Sequence, residues 1–333
     1  MIIPIERTTD TAEARRPAAA QARELGYDED RAGRVSIVAT ELATNIVKHA
    51  DKGELVVQPY RLDPATHGLE LIAIDSGPGI ADLARARADG FSTAGSPGTG
   101  LGAIQRIADE VSVYTQPGRG TVMLARLAPP RGRGAPTDTG FALGAMQANC
   151  PGEVVCGDAW SAVPARNRCR LLVVDGSGHG PPAAEAARAA VALFEAKPGL
   201  GLVEIMMMLH GGLAHTRGAS AGVLEINRDT REVTFAGLGN ISTVVITTEG
   251  RRGMISPGGT LGHTWRTVRP FSQPFAGGAA TVVMHSDGLA TRWQLDGYLG
   301  LAACHPSVIA AVLYRDFHRE RDDVTVVVVK VKP

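Results

Sequence analysis

The amino-acid sequence predicts an α+β protein with two domains. The chain has 333 residues, 44% of them hydrophobic, which is enough apolar material for two cores. In both halves, short apolar or alternating runs typical of strands are interleaved with amphipathic runs typical of helices. Between the halves lies a stretch rich in Pro, Gly and Arg that shows no periodicity, APPRGRGAPTDTG. We therefore expect domains at residues 1–128 and 140–333, joined by a linker at residues 129–139.

Composition excludes several classes of protein. The formal net charge is zero, so nothing in it indicates a nucleic-acid partner. The longest apolar runs, such as VTVVVV at 324–329, have the length of a strand and are far short of a membrane span. The start MIIPIERTTD is not typical of a signal peptide, and the four cysteines show no CxxC spacing. We expect a reduced, cytoplasmic protein without a membrane partner.

In the first half, four segments have strand character: MIIPI, ELVVQPYRL, LELIAID and TVMLARL. AEARRPAAAQARELG reads as a helix that stops at Gly26. A second helix is indicated by RAGRVSIVATELATNIVKHA, whose apolar residues fall at 35, 38, 42, 46 and 47. Glu41, Asn45 and His49 recur at intervals of four in this segment, which places them on one helix face. Glu41 and Asn45 interrupt an apolar pattern, which is unfavourable unless these polar groups have partners.

Two glycine-rich turns accompany this helix. DSGPG at residues 75–79 ends a strand on Asp75, a carboxylate that can accept a hydrogen bond from an exocyclic amine. Gly77 and Gly79 would let a flat base lie close to the backbone. In SPGTGLGAIQRIADEV, glycines open an amphipathic helix, so free N–H groups and the positive end of the dipole favour an anion such as phosphate. The candidate residues in this second turn are Gly98, Thr99, Gly100, Leu101 and Gly102.

The order and spacing of these pieces resemble the ATPase–kinase superfamily of gyrases, Hsp90 and histidine kinases. ELATN, DSGPG and GTGLG correspond to its N, G1 and G2 boxes, and the resemblance covers residues from about 1 to 127. No P-loop sequence is present. The stretch from DGFSTAG to GTVMLARL is similar to the switch and anti-sigma kinases of the bacterial general stress response, above all the RsbT type. Those kinases phosphorylate serine or threonine on STAS-domain proteins of the stressosome.

This resemblance implies a two-layer α/β sandwich that binds ATP and magnesium. Asn45 would hold magnesium on the phosphates, and Asp75 would bond the adenine amine. The hydroxyl of Thr121 would support the adenine. Glu41 would be the base that accepts the proton of the substrate hydroxyl, in keeping with the positioning and charge stabilisation that phosphoryl transfer requires.

The second half carries strand-like runs, among them RLLVVD, EVTFAGL and DVTVVVVKV, and two helical stretches, PPAAEAARAAVALFEA and LVEIMMMLHGGLAH. Acidic residues lie beside the predicted strand ends; they are Asp158, Asp175, Asp287, Asp322 and Asp323. Clustered carboxylates repel one another and need cations, and oxygen-only ligands suit magnesium or manganese. Two such ions about 3.5–4 Å apart could clamp a phosphate oxygen.

The order GD…VVDGxGHG…SDG…DDVT resembles the PPM family of metal-dependent Ser/Thr phosphatases, in the bacterial branch that includes SpoIIE and RsbX. The resemblance covers residues from about 140 to 333. It implies a four-layer α/β/β/α fold and two manganese or magnesium ions. Asp158 and Asp175 would bridge the metals, and the Gly176 carbonyl would complete one of them. Asp287 and Asp322 would be outer ligands, with Asp323 ranked below them because the family often has Asn there.

The favoured function is a Ser/Thr kinase fused to an opposing phosphatase, both acting on STAS-domain proteins of stressosome or anti-anti-sigma type. A downstream switch phosphatase or a sigma factor is a further expected partner. One alternative is a nucleotide-dependent module that only binds a sigma factor or STAS partner, fused to a phosphatase that alone carries catalysis. Another is a SpoIIE- or RsbU-like phosphatase that resets a protein phosphorylated by a different kinase. A third is a pair of degenerate domains retained for assembly.

Overall fold

The computed structural model describes residues 1–61, 67–83, 100–129, 139–275 and 278–332. The chain divides into two compact units, Met1–Pro136 with Gln294–Arg315, and Thr137–Trp293 with Asp316–Pro333. The expected mixture of helices and strands in both halves is confirmed. The boundaries 1–128, 129–139 and 140–333 stay a prediction, to which the structure adds that residues 294–315 group with the first unit. No helix in the described ranges is long and apolar enough to cross a bilayer.

The first unit is built on one antiparallel sheet with strand order β1-β2-β3-β5-β4. Its strands are β1 (Ile2–Ile5), β2 (Gly53–Arg61), β3 (His67–Asp75), β4 (Glu110–Thr115) and β5 (Thr121–Leu127). Its helices are α1 (Thr8–Glu24), α2 (Glu29–His49) and α3 (Gly100–Ile107).

Helix α2 packs one face against this sheet. Asp28 caps its first turn, where the side chain accepts a 2.8 Å hydrogen bond from the Arg31 amide. Four residues of the predicted apolar stripe are 0–1% exposed; they are Val35, Val38, Leu42 and Ile46. They share a core with Leu55 and Leu71 of the sheet. Each such buried side chain contributes about 1.5–3 kcal/mol, so this layer orients the face that carries Glu41 and Asn45.

Strand β3 is buried on both of its faces, since every residue between His67 and Asp75 is buried although successive side chains alternate between the two faces. The face opposite the α2 core includes a charged pair. Arg126 donates from Nε to Glu70 Oε2 at 2.9 Å, and the two side chains are 3% and 2% exposed. Gln58 also donates to Glu70 at 2.7 Å. A pair this deeply buried is stable only while both partners are present.

The second unit contains two sheets, with strand orders β13-β10-β9-β8-β7 and β12-β11-β14-β15-β6. Its strands are β6 (Phe141–Ala148), β7 (Asp158–Pro164), β8 (Arg168–Gly176), β9 (Ala219–Asn227), β10 (Glu232–Leu238), β11 (Ser242–Thr247), β12 (Gly250–Ile255), β13 (Phe271–Pro274), β14 (Ala280–His285) and β15 (Val324–Val331). Helices α4 (Pro181–Ala196) and α5 (Leu202–Gly212) cover the first of these sheets.

The two sheets of the second unit meet close to the start of β7. Ser286, which follows β14, donates to Asp158 Oδ2 at 2.6 Å. Gln147 of β6 donates to the Asp158 carbonyl at 2.9 Å. The helix α6 (Pro306–Phe317) precedes β15 in the chain, and its residues up to Arg315 group with the first unit. The residues of the second unit thus form two sheets and one helical layer, which consists of α4 and α5.

Removing one partner of the buried pair in the first unit should destabilise the protein strongly. We expect Arg126→Ala to lower the free energy of unfolding by about 3–5 kcal/mol, because Glu70 would remain buried without its counter-charge. Urea unfolding followed by far-UV circular dichroism measures the effect. Arg23→Ala is the matched control, since Arg23 pairs with Glu29 at an exposed site and should hardly move the midpoint. Equal midpoints for the two variants would contradict the prediction.

Candidate functional sites

Helix α2 presents its polar face as the spacing predicts. Glu41 and Asn45 are half-buried, and His49 is exposed. A surface pocket of about 570 Å³ opens beside Glu41, lined also by Arg15 of α1 and by Arg34, Ile37 and Thr40 of α2. Ile37 is 48% exposed in spite of its apolar side chain. Glu41 therefore lines a surface pocket that is open to solvent.

Asp75 ends β3 with one carboxylate oxygen fixed by the backbone. Its Oδ1 accepts hydrogen bonds from the amides of Gly77 at 2.9 Å and Thr121 at 3.1 Å. Burial raises the pKa of Asp75 above its ordinary value, and these two hydrogen bonds act in the opposite direction. Within the described ranges, Oδ2 has no hydrogen-bond partner. The arrangement leaves one oriented acceptor for a donor such as an exocyclic amine.

The turn after Asp75 admits only glycine at two positions. A Cβ on Gly77 would lie 2.7 Å from the Cβ of Ala50. Gly79 has φ +73°, and a Cβ there would lie 2.4 Å from the Gln116 carbonyl oxygen. The hairpin between β4 and β5 therefore packs directly against this turn. Close backbone approach is the reason for these glycines, in addition to any contact with a base.

Thr121 binds Asp75 through its backbone amide, and the predicted contact of its hydroxyl with adenine stays a prediction. Its side chain is 9% exposed, and its Oγ1 lies 3.0 Å from Oγ1 of Thr115. Thr115 in turn accepts a 2.7 Å hydrogen bond from the Ile80 amide. The two threonines thus tie the hairpin to the turn that follows Asp75.

The second glycine-rich turn leads into α3. Gly98 and Thr99 lie outside the described residues, and α3 begins at Gly100. The Leu101 side chain is half-buried and packs against the apolar core. Gly102 is buried. Free backbone amides in the first turn of a helix are suited to phosphate, and the predicted roles of these residues stay predictions.

In the second unit, two aspartates face each other across neighbouring strands. Asp158 begins β7 and is paired with Asp175 near the end of β8. Asp158 Oδ2 accepts from Ser286, and Asp175 Oδ2 accepts from Asn240 Nδ2 at 2.8 Å. Burial raises the pKa of Asp175 to about 7, and the charges of Asp287 and two further aspartates act in the same direction. Burial, followed by the charge of Asp175, also raises the pKa of Asp158.

The charges of the other predicted aspartate ligands act on the pKa values of this pair. Asp322 is half-buried, and its Oδ1 accepts from the Asp323 amide at 3.0 Å. Burial first and the charge of Asp287 second raise the pKa of Asp322. Asp323 is 3% exposed, and its Oδ1 accepts from the Cys150 amide at 2.8 Å. Gly176 packs against α4, where a Cβ would lie 2.2 Å from the Ala183 carbonyl oxygen.

The chemistry of this aspartate cluster fits a hard divalent cation. The side-chain donors are all oxygens, and two buried carboxylate oxygens, Asp158 Oδ1 and Asp323 Oδ2, have no hydrogen-bond partner. Buried acceptors without partners are unfavourable, so each is suited to a cation. In the part of the chain that the structure describes, no three acidic, His or Cys side chains already converge as a ligand group.

Two contacts of this cluster were missed by sequence reasoning. Ser286 and Asn240 each hold one oxygen of a central aspartate, and Ser286 also accepts from the Thr325 amide at 3.0 Å. Ser286 is part of the SDG motif, so the sequence could have indicated it as a site residue. Asn240 follows β10, far along the chain from Asp175, and no motif indicates it. His179, in the turn after β8, lies with Nδ1 2.5 Å from Glu153 Oε1.

Two family models match the chain. Residues 6–126 match "Histidine kinase-like ATPase domain", and residues 165–332 match "Stage II sporulation protein E (SpoIIE)". The chain is 38% identical over 116 residues to the serine/threonine-protein kinase RsbT of Bacillus subtilis (strain 168), which covers 35% of this chain and 86% of RsbT. It is 26% identical over 144 residues to the phosphoserine phosphatase RsbX of the same organism, which covers 43% of this chain and 72% of RsbX.

Solved structures are also similar to part of the chain. A crystal structure of RsbX in complex with magnesium has a TM-score of 0.52 at 21% identity and covers 58% of this chain and 96% of that one. A structure from work on the bacterial stressosome as a modular system that controls secondary messenger signalling has a TM-score of 0.51 at 28% identity. It covers 57% of this chain and 98% of that one.

Asp75→Asn should weaken the binding of ATP–magnesium by about 10–100-fold, because a charge-assisted hydrogen bond is lost. The amide oxygen of Asn can keep the hydrogen bonds from Gly77 and Thr121. The NH₂ group of Asn then takes the place of Oδ2 and points a donor at the adenine amine, which is itself a donor. Isothermal titration calorimetry measures the change. Asp51→Asn is the control, since Asp51 has φ 62°, which Asn tolerates equally well. ATP affinity equal to that of the wild type would show that Asp75 does not read the base.

Asp175→Asn should lower the affinity for manganese by at least about 10-fold, because it removes a charge from the centre of the cluster. Calorimetric titration with manganese measures this affinity directly and needs no substrate. Asp296→Asn, the same change at an exposed position, should leave it unaltered. Unchanged manganese binding in the Asp175 variant would remove Asp175 from the ligand set.

Proposed function

The chain belongs to the SpoIIE family over residues 165–332 and to the histidine kinase-like ATPase family over residues 6–126, and from that premise we propose that it adds and removes phosphate on the same class of regulator. Its first half is a serine/threonine kinase related to RsbT, and its second half is a phosphatase related to RsbX. The substrates that we propose are STAS-domain proteins of the stressosome or anti-anti-sigma type.

The observation that carries this proposal is that one chain holds both sets of chemical groups. In the first unit, Asp75 has one carboxylate oxygen fixed by backbone amides and the other available as an acceptor. A second acid of this unit, Glu41, lines a surface pocket. The second unit has a buried all-oxygen cluster with unsatisfied acceptors. A chain that only bound a partner would have no need to keep both.

In the kinase reaction, the residues of the first unit position ATP and the acceptor. Asp75 Oδ2 accepts from the adenine amine, and the amides at the start of α3 bind phosphate oxygens. Asn45, one turn after Glu41 on α2, would hold the magnesium that accompanies ATP. Glu41 accepts the proton of the serine or threonine hydroxyl, which enters through the pocket that Glu41 borders. ATP is the phosphoryl donor and ADP leaves.

In the phosphatase reaction, the aspartates of the second unit hold divalent cations and orient the phosphate. Two magnesium or manganese ions would be held by Asp158, Asp175 and the Gly176 carbonyl, with Asp287, Asp322 and Asp323 around them. When bound, the ions supply Lewis-acid chemistry and neutralise charge for hydrolysis. Ser286 and Asn240 fix the orientation of Asp158 and Asp175, as supporting hydrogen bonds do at metal centres.

The proposed partners belong to cytoplasmic signalling. A kinase related to RsbT and a phosphatase related to RsbX on one chain would set the phosphorylated fraction of a STAS protein by the ratio of their rates. A switch phosphatase or a sigma factor would lie downstream of that protein. We expect one and the same STAS protein to be the substrate of both the kinase and the phosphatase.

Opposing activities give a direct prediction for one STAS partner. With ATP, the wild-type chain should leave the partner partly phosphorylated. Asp175→Asn should drive it toward full phosphorylation, since removal of phosphate stops. Glu41→Gln should leave added phosphopartner to decay to the unmodified form, since transfer stops while ATP binding persists. The measurement is a phosphorylation time course by intact-protein mass spectrometry.

Two controls make that time course decisive. Asp296→Asn and Glu24→Gln are the same changes at exposed positions and should behave as the wild type. If Asp175→Asn leaves the wild-type phosphorylated fraction at equal kinase activity, the halves serve different substrates. If Glu41→Gln transfers phosphate at the wild-type rate, Glu41 is not the base.

A further inference from the structure

The sheet of the first unit has a second face, turned away from the core that α1 and α2 form. Val56, Ile72 and Leu124 of this face are 0% exposed, although they alternate along their strands with residues of that core. Glu70 and Arg126 lie on the same face. A buried face with a charged pair needs apolar contacts and hydrogen bonds from whatever covers it.

Residues 294–315, which come much later in the chain, supply hydrogen bonds to this face. Ser307 at the start of α6 donates to Glu70 Oε2 at 3.0 Å, and Arg126 Nη2 donates to Ser307 Oγ at 3.1 Å. The amide of His305 donates to Ser112 Oγ on β4 at 3.1 Å. The segment is thereby fixed across three strands of the nucleotide-binding sheet.

The same segment touches the hairpin that supports Asp75. The ring of Tyr298 lies 5.0 Å from the Arg119 guanidinium carbon, at the tip of the hairpin between β4 and β5. Its ring centroid is 6.4 Å from that of Tyr114 on β4. This hairpin carries the Thr121 amide that binds Asp75 Oδ1.

The last residue of the segment reaches Asp75 itself. Arg315 is half-buried on α6, and its Nη1 donates to the backbone carbonyl of Asp75 at 3.1 Å. Asp75 is therefore held through its carbonyl by Arg315 and through Oδ1 by Gly77 and Thr121. These bonds fix both the peptide and the carboxylate, and so fix the direction in which Oδ2 points.

We propose that Arg315 is a positioning residue for the nucleotide site: by binding the Asp75 carbonyl, it orients the carboxylate that reads the adenine amine. This inference rests on the proposed role of Asp75 in ATP binding. The nucleotide site is then completed by a residue that follows Asp287 and precedes Asp322 in the sequence, rather than by residues 1–128 alone. A guanidinium suits this task because its N–H groups are rigidly arranged and always charged.

The test compares two nucleotides on the full-length protein. ATP carries the exocyclic amine that Asp75 accepts from, whereas inosine triphosphate carries an oxygen there. Calorimetry with each nucleotide and magnesium gives the two affinities for wild type, Arg315→Gln, Arg315→Lys and Asp75→Asn. Arg269→Gln, an exposed arginine in the second unit, is the matched control. Far-UV circular dichroism confirms folding, and Arg315→Met repeats the measurement if the Gln variant does not fold.

We expect Arg315→Gln to weaken ATP about 10-fold, as loss of a charge-assisted hydrogen bond would, and to leave inosine triphosphate unchanged. Arg315→Lys should restore most of the ATP affinity. If Arg315→Gln binds ATP as the wild type does while Asp75→Asn does not, the positioning role is overturned and the proposed function stands. Equal weakening of both nucleotides would mean a merely structural role and also overturns the proposal. ATP binding by Asp75→Asn at wild-type affinity would overturn the role of Asp75 and this inference together.

Discussion

A carboxylate that is taken out of water must be compensated by hydrogen bonds or positive charge, and this constraint organises both units. Glu70 is compensated by Arg126, Gln58 and Ser307 on the buried second face of the sheet. Asp75 is compensated on one oxygen by two backbone amides. Asp158 has a single hydroxyl donor on one oxygen and none on the other. The number of carboxylate oxygens that already have hydrogen-bond or charge partners decides whether each acid can still bind a ligand.

Glu70, with a full set of partners, serves structure, whereas an incompletely compensated acid keeps an acceptor for a ligand. Asp75 and Asp175 illustrate two versions of that second case. Asp75 ends β3 and Asp175 is the last residue but one of β8, and glycine-rich segments follow them in AIDSGPG and VVDGSGHG. Asp75 has no other acid among the groups that shift its pKa, so it is suited to a single neutral donor. Asp175 faces Asp158 and is influenced by three more aspartates, so it is suited to cations.

How much of the site sequence reasoning could find depends on the range of the contacts. Glu41 and Asn45 share a helix face because of local periodicity, and Asp75 with Gly77 and Gly79 forms one local turn. Ser286, Asn240 and Arg315 reach their aspartates from 128, 65 and 240 residues away in the chain. No local pattern encodes such a contact, because it depends on how separate strands and helices pack. Leu101 is a different case, because it lies in a predicted ligand motif while its half-buried side chain packs against the core.

The sequence by itself determined the fold class, the secondary structure around each motif and both families. These follow from periodicity, glycine-dependent turns and local motif spacing, which act over a few residues. Only the tertiary structure decided that residues 294–315 group with the first unit. The four consecutive apolar residues LIAI of β3 indicate that both of its faces are buried, yet burial is non-directional and does not specify which segment covers the second face. That choice was made by Ser307, Tyr298 and Arg315, whose hydrogen bonds and ring contacts exist only once the distant segment has docked.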